Sequence, residues 1–101
     1  MRKTKTLTRP YDSAEYLKTG EDIQRYLEAC FEEGGDDPAF ITHALGVVAR
    51  AKGMMQIARE TGLAREALYR SLSAGGNPSF ATVLKVLKSL GLQLHATSAT
   101  V

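Results

Sequence analysis

The chain has 101 residues, of which 44% are hydrophobic, enough for one small domain with a modest core. Its single cysteine, Cys30, rules out an intramolecular disulfide and fits a reducing compartment. The net charge of +2 points to no partner by itself, and no apolar run approaches the length of a membrane span.

The distribution of charge says more than its sum. Residues 1–9 carry Arg2, Lys3, Lys5 and Arg9 and no acid, a net +4. Residues 10–36 carry eight acids against Lys18 and Arg25, a net −6. Residues 37–101 carry seven bases against Asp37, Glu60 and Glu66, a net +4. An acidic front and a basic back suggest two surfaces with separate tasks, set against the plainer reading of solvated helix faces.

Residues 1–11 have no periodicity, contain Pro10, and read as a flexible basic arm lacking the apolar stretch of a signal peptide. Residues 12–36 form an acidic helical segment. Asp12 or Ser13 can cap a short turn that Gly20 ends. In the longer pattern that follows, Ile23, Leu27, Cys30 and Phe31 share one helical face, and Gly34 and Gly35 stop it. Glu21 and Asp22 lie at its positive end.

The next helix opens with Asp37 as cap and Pro38 at the first position, and Gly53 closes it. Phe40, Ile41, Ala44, Leu45, Val48 and Ala51 make its apolar stripe. A short helical pattern from Met54, a break at Gly62 and Leu63, and a second short pattern to Ser73 come next. Gly75 and Gly76 make a turn. Ser79 caps a last helix whose core face is Val83, Leu84, Val86, Leu87 and Leu90, with Gly91 as its stop. The tail, residues 93–101, is either a frayed end or a short strand, since Leu92, Leu94 and Ala96 alternate weakly. The chain contains no internal repeat, and the fold class is all-α.

The stretch 54–73 has the requirements of a helix–turn–helix. Ala58 is small where the second helix must cross closely, Gly62 suits the corner, and Leu68 and Leu72 pin the inner face. Arg65, Glu66, Tyr69 and Arg70 are left on the outer face. A helix of this kind fits the DNA major groove, and arginine suits guanine there through paired hydrogen bonds.

From Gln56 to Leu92 the chain resembles the lambda-repressor-like, Cro-type helix–turn–helix. The carrying motifs are "QIARETGLAREALYRSL" and "NPSFATVLKVLKSLGL". Together with "RPYDSAEYLKTGEDIQRYLEACFEEG", they make the chain similar along nearly its whole length to bacterial addiction-module antidotes, the antitoxins of type II toxin–antitoxin systems. That resemblance implies a five-helix DNA-binding domain over residues 37–92 and a homodimer. It implies repression of the protein's own operon at an inverted repeat of double-stranded DNA, and neutralisation of a RelE/ParE-type toxin. It places the protein in the cytoplasm, at the nucleoid.

Carried over by position, the resemblance makes Gln56 a phosphate contact that also braces the recognition helix. Arg65, Glu66, Tyr69 and Arg70 face bases or backbone, and Asn77 meets the sugar-phosphate backbone. Ala64 stands where many relatives have Ser or Thr, so this chain lacks both the cap and a DNA contact there. Glu66 either balances Arg70 or accepts from cytosine, and Tyr69 either reaches DNA or packs on the domain. Arg59 and Lys52 are either phosphate contacts or solvated charges. In the acidic segment, Tyr16, Leu17, Ile23, Tyr26 and Leu27 are the candidates for contact with the toxin. A repressor without a protein partner is the alternative. Catalysis has little support, because His43 and His95 stand alone and Cys30 has no partner histidine in a recognisable arrangement. No cofactor or metal is expected.

Overall fold

The computed structural model describes residues 17–99, and over them the chain is all-helical with five helices and no strand. These are α1 (Gly20–Gly34), α2 (Pro38–Lys52), α3 (Met54–Thr61), α4 (Arg65–Ser71) and α5 (Phe80–Ser89). The basic arm, most of the turn expected over 12–20, and Tyr16 lie outside the described residues.

Local signals set most of the helix ends. Asp37 accepts from the N–H groups of Ala39 and Phe40, with Pro38 behind it, as its position before the α2 stripe predicts. Ser79 accepts from the Thr82 N–H at the start of α5. The start of α1 differs from the expectation. Gly20 does not end a preceding turn but is the first residue of α1. Thr19 is the cap: it accepts from the Asp22 N–H, while the Asp22 carboxylate takes the backbone N–H groups of Thr19 and Lys18. Those two backbone N–H groups, Lys18 first, hold the Asp22 carboxyl below its ordinary range.

Helix α2 is the centre of the molecule. The sequence gives it a one-sided stripe, yet residues 44–49 are all buried, a full turn and more. It is covered all round because α1 packs on one side while α3 follows directly at its end, and α3 in turn carries α4 and α5. Leu45, Val48, Ile57, Leu68, Leu72 and Val86, each 2% exposed or less, form the centre of one continuous core. Two apolar positions assigned to that core from periodicity are in fact half-exposed: Phe31 at the end of α1 and Leu84 on α5, both at 41%. The tail from Leu92 to residue 99 forms no strand.

Lys52 fastens two distant ends together. Its ammonium donates to the carbonyl of Ser89 at the C-terminus of α5 and lies 3.6 Å from the Glu60 carboxylate on α3. A cation at a helix C-terminus offsets the unpaired carbonyls there. Lys52 is therefore a structural tie.

Candidate nucleic-acid interface

Helix α3 ends at Gly62, whose φ of +75° lies in the left-handed region and whose N–H returns to the Ala58 carbonyl at 2.9 Å. No atom lies within 4 Å of where a side chain would begin, so the residue type is dictated by backbone angle and not by space. The Thr61 hydroxyl donates to the Ile57 carbonyl at 2.8 Å and accepts from the Leu63 N–H at 3.3 Å. These bonds fix the corner after which α4 begins.

Ala64 is the cap residue of α4. Its backbone is extended, as a cap requires, but it makes no side-chain cap bond. Leu68 is 1% exposed and Leu72 2%, which leaves the opposite side of α4 to solvent. Arg65, Glu66, Tyr69 and Arg70 are all exposed. At about 100° per residue the four side chains span an arc of roughly 140°, a single outward face. Tyr69 is 46% exposed and is a surface residue of this face. The ion pairs of the described residues do not join Glu66 to Arg70, which corrects the surface-pair reading of those two.

Gln56 is exposed, and its amide donates to the Glu60 carboxylate at 3.0 Å, one turn along its own helix. It braces α3 and does not reach α4. Asn77 is exposed in the loop before α5. His43 is exposed on α2.

The acidic helix divides differently. Leu17, Ile23 and Leu27, assigned to toxin contact from sequence, are buried at 8%, 6% and 3% and belong to the core. Tyr26 packs partly against that core and hydrogen-bonds with Cys30. Burial raises the Cys30 thiol above its ordinary range, and the bond with Tyr26 acts in the opposite direction. What α1 presents outward is Glu21, Glu28, Glu32 and Glu33, with Arg25 held between Glu21 and Asp22 at 3.6 Å from each. Phe31, Glu32, Glu33, Asp36 and Asp37 line a shallow groove at the corner between α1 and α2.

Comparison with known proteins adds the family. A family model described as "Probable addiction module antidote protein" matches residues 7–98. The chain belongs to this family. An uncharacterised protein of Haemophilus influenzae is 51% identical over 85 residues, which cover 84% of this chain and 86% of that protein. No solved structure matches. The antidote family implies a toxin as partner in general terms. Among the described residues no helix is long and apolar enough to cross a membrane, and no group of three or more His, Cys, Asp or Glu is placed to hold a metal ion.

Proposed function

We propose that the protein is the antitoxin of a type II toxin–antitoxin module, which neutralises a RelE/ParE-type toxin and represses its own operon by sequence-specific DNA binding. The observation that carries the DNA part is the outward face of α4, with two arginines and a tyrosine held rigidly over the buried Leu68 and Leu72. As the recognition helix of a lambda-repressor-like domain, α4 enters the major groove with its first turn at the base edges. Arg65, in that first turn, takes guanine through two parallel bonds. Tyr69 and Arg70 follow along the groove, and Glu66, free of Arg70, is available to cytosine N4. Gln56 and Asn77 meet the phosphate backbone from either side. Ala64 adds nothing there, so discrimination falls on Arg65 and Tyr69. A dimer sets two such helices roughly 34–36 Å apart on an inverted repeat. This activity belongs in the cytoplasm, at the nucleoid.

The toxin part rests on the exposed acids of α1. Glu32 and Glu33 stand in its last turn, where no basic residue offsets the carbonyl ends. Acids at that end work against the helix macrodipole, so they weaken α1. A basic partner laid over them makes the placement favourable, and the RNA-cutting toxins of this class are basic. A repressor acting alone gains nothing from it.

The test is a binding titration on the DNA just upstream of the operon, over a salt series, with Arg65→Ala alongside. The wild type is expected to bind specifically, and the variant to lose about 1–3 kcal/mol of discrimination. Binding alike on every sequence, with and without the neighbouring gene product, rules the DNA reading out. Capture of that gene product, weakened by Glu32→Lys with Glu33→Lys, tests the toxin surface. Undiminished capture by that double variant refutes the assignment.

A further inference from the structure

The turn after α4 runs back against the helix it leaves. The Arg70 carbonyl accepts from the Ser73 hydroxyl at 2.9 Å, and the Ser73 carbonyl accepts from the Gly76 N–H at 2.8 Å. Gly76 lies directly on the last carbonyls of α4. A Cβ added to it would sit 2.6 Å from the Arg70 carbonyl oxygen and closer still to that of Ser71. The next residue, Asn77, precedes Pro78, whose ring disfavours the helical conformation in the residue before it. Ser79 then caps α5 by accepting from the Thr82 N–H at 3.0 Å, and α5 is held by the buried Val86, Leu87 and Leu90. Asn77 is exposed and in a loop, yet it is fixed between two anchored helices.

We infer that Gly76 and Pro78 are positioning residues for DNA recognition: they hold the Asn77 amide in register with the outward face of α4. The inference rests on the DNA reading proposed above. Contacts to phosphate carry no sequence information directly, but they set where the base-reading helix lies on the duplex. A binding constellation has to be held within about 0.5 Å. Side-chain carbons essentially never come within 3.0 Å of such an atom, so Gly76→Ala forces the turn and the helix end apart by about half an ångström or more, which uses up that tolerance.

Burial decides which of the two gives way. Leu68 and Leu72 are 1% and 2% exposed, and the Leu72 carbonyl lies close against Gly46 of α2. Ser73, Ala74 and Gly75 are exposed. The turn moves, α4 stays, and Asn77 goes with the turn. A misplaced anchor draws Arg65 off its base, whereas a missing anchor only loosens the hold on DNA. The two lesions differ in what they do to specificity, and that difference separates a positioning role from a merely structural one.

The experiment is a titration of the full chain against the DNA upstream of its operon and against a scrambled duplex of equal length, with circular dichroism of each variant to confirm its helices. Asn77→Ala is expected to weaken binding to both duplexes alike and to leave their ratio unchanged. Gly76→Ala is expected to reduce the ratio about tenfold, the size of one lost base contact. Combined with Asn77→Ala, the same substitution should leave the ratio at the Asn77→Ala value, because no misplaced anchor remains. Pro78→Ala adds no atom against α4 and carries the test if Gly76→Ala fails to fold. It should weaken operator binding about two- to tenfold, the cost of ordering a freed contact, and have no such effect on the Asn77→Ala background. Discrimination that both variants leave intact, or reduce equally with and without the Asn77 amide, overturns the positioning role and leaves the DNA reading standing. A wild type that binds both duplexes alike overturns that reading, and the role of Gly76 and Pro78 with it.

Discussion

Gly46→Ala is the substitution for which the structure and intrinsic helix propensity disagree in sign. In the middle of a helix, alanine is better than glycine by about 1 kcal/mol, so propensity alone makes the variant more stable. Gly46, however, faces the end of α4. An added Cβ would lie 2.7 Å from the Leu72 carbonyl oxygen and 3.2 Å from a guanidinium nitrogen of Arg50. The guanidinium can swing aside, since Arg50 is exposed. The carbonyl cannot, because Leu72 is 2% exposed and its N–H is bonded to the Leu68 carbonyl at 3.1 Å. The end of α4 must therefore shift, and overpacking of this kind costs about 1–3 kcal/mol. The net expectation is a loss of roughly 1 kcal/mol, or about 4–8 °C in Tm for a domain of this size. Gly20→Ala is the control. It lies in the first turn of α1 with nothing within 4 Å of the new carbon, and should gain about 0.4–1 kcal/mol. Urea unfolding followed by far-UV circular dichroism measures both. If Gly46→Ala is stabilised as much as Gly20→Ala, the close approach of α2 to α4 is refuted.

Ala64→Ser restores the missing acceptor at the start of α4 and should raise stability by about 0.5–1 kcal/mol, read as a higher Tm; an unchanged Tm would mean that the cap geometry is not held. Asp22 has its carboxyl pKa lowered from 3.8 by the backbone N–H groups of Lys18 and Thr19, so its contribution to stability is complete above that value and disappears as pH falls through the lowered one. An NMR titration that places the Asp22 carboxyl at or above 3.8 contradicts the capping box. Cys30 is buried and its thiol is raised above 9.0, so alkylation of the native protein near neutral pH should be at least about a hundredfold slower than after unfolding, with comparable rates counting against the burial.

The helices were legible where their signals are local. Asp37 with Pro38, Gly53, Gly62 and Ser79 each act within one turn of themselves, and the ends they imply for α2, α3 and α5 are the observed ones, whereas α4 stops at Ser71, two residues short of the Ser73 to which its pattern runs. The start of α1 was not read correctly, because a glycine is the usual mark of a helix end. The competing signal, threonine three residues before an acid, has Asp22 where the familiar box has Glu or Gln. Lys52 illustrates a different limit. Its partner Ser89 is 37 residues away, and no pattern around Lys52 points to it.

The candidate site was legible for a reason that also explains where the reading failed. On α4 the polar face is short and the helix is pinned by two leucines, so period alone fixes which side chains point outward. On α1 the same rule identified the stripe of Ile23, Leu27, Cys30 and Phe31, but a period gives a direction and not the extent of cover. Helix α2 covers the first three and leaves Phe31 partly open at the corner where the chain turns. Leu17, Ile23 and Leu27 resemble an apolar contact surface in sequence because core and interface use the same residue types. What separates them is whether a neighbouring helix is already there, which only the packing of α1 on α2 decides. The same reasoning in reverse separates Phe80: its neighbours Val83 and Val86 turn inward, no described helix covers the phenylalanine itself, and its exposure of 68% is what a core position never shows.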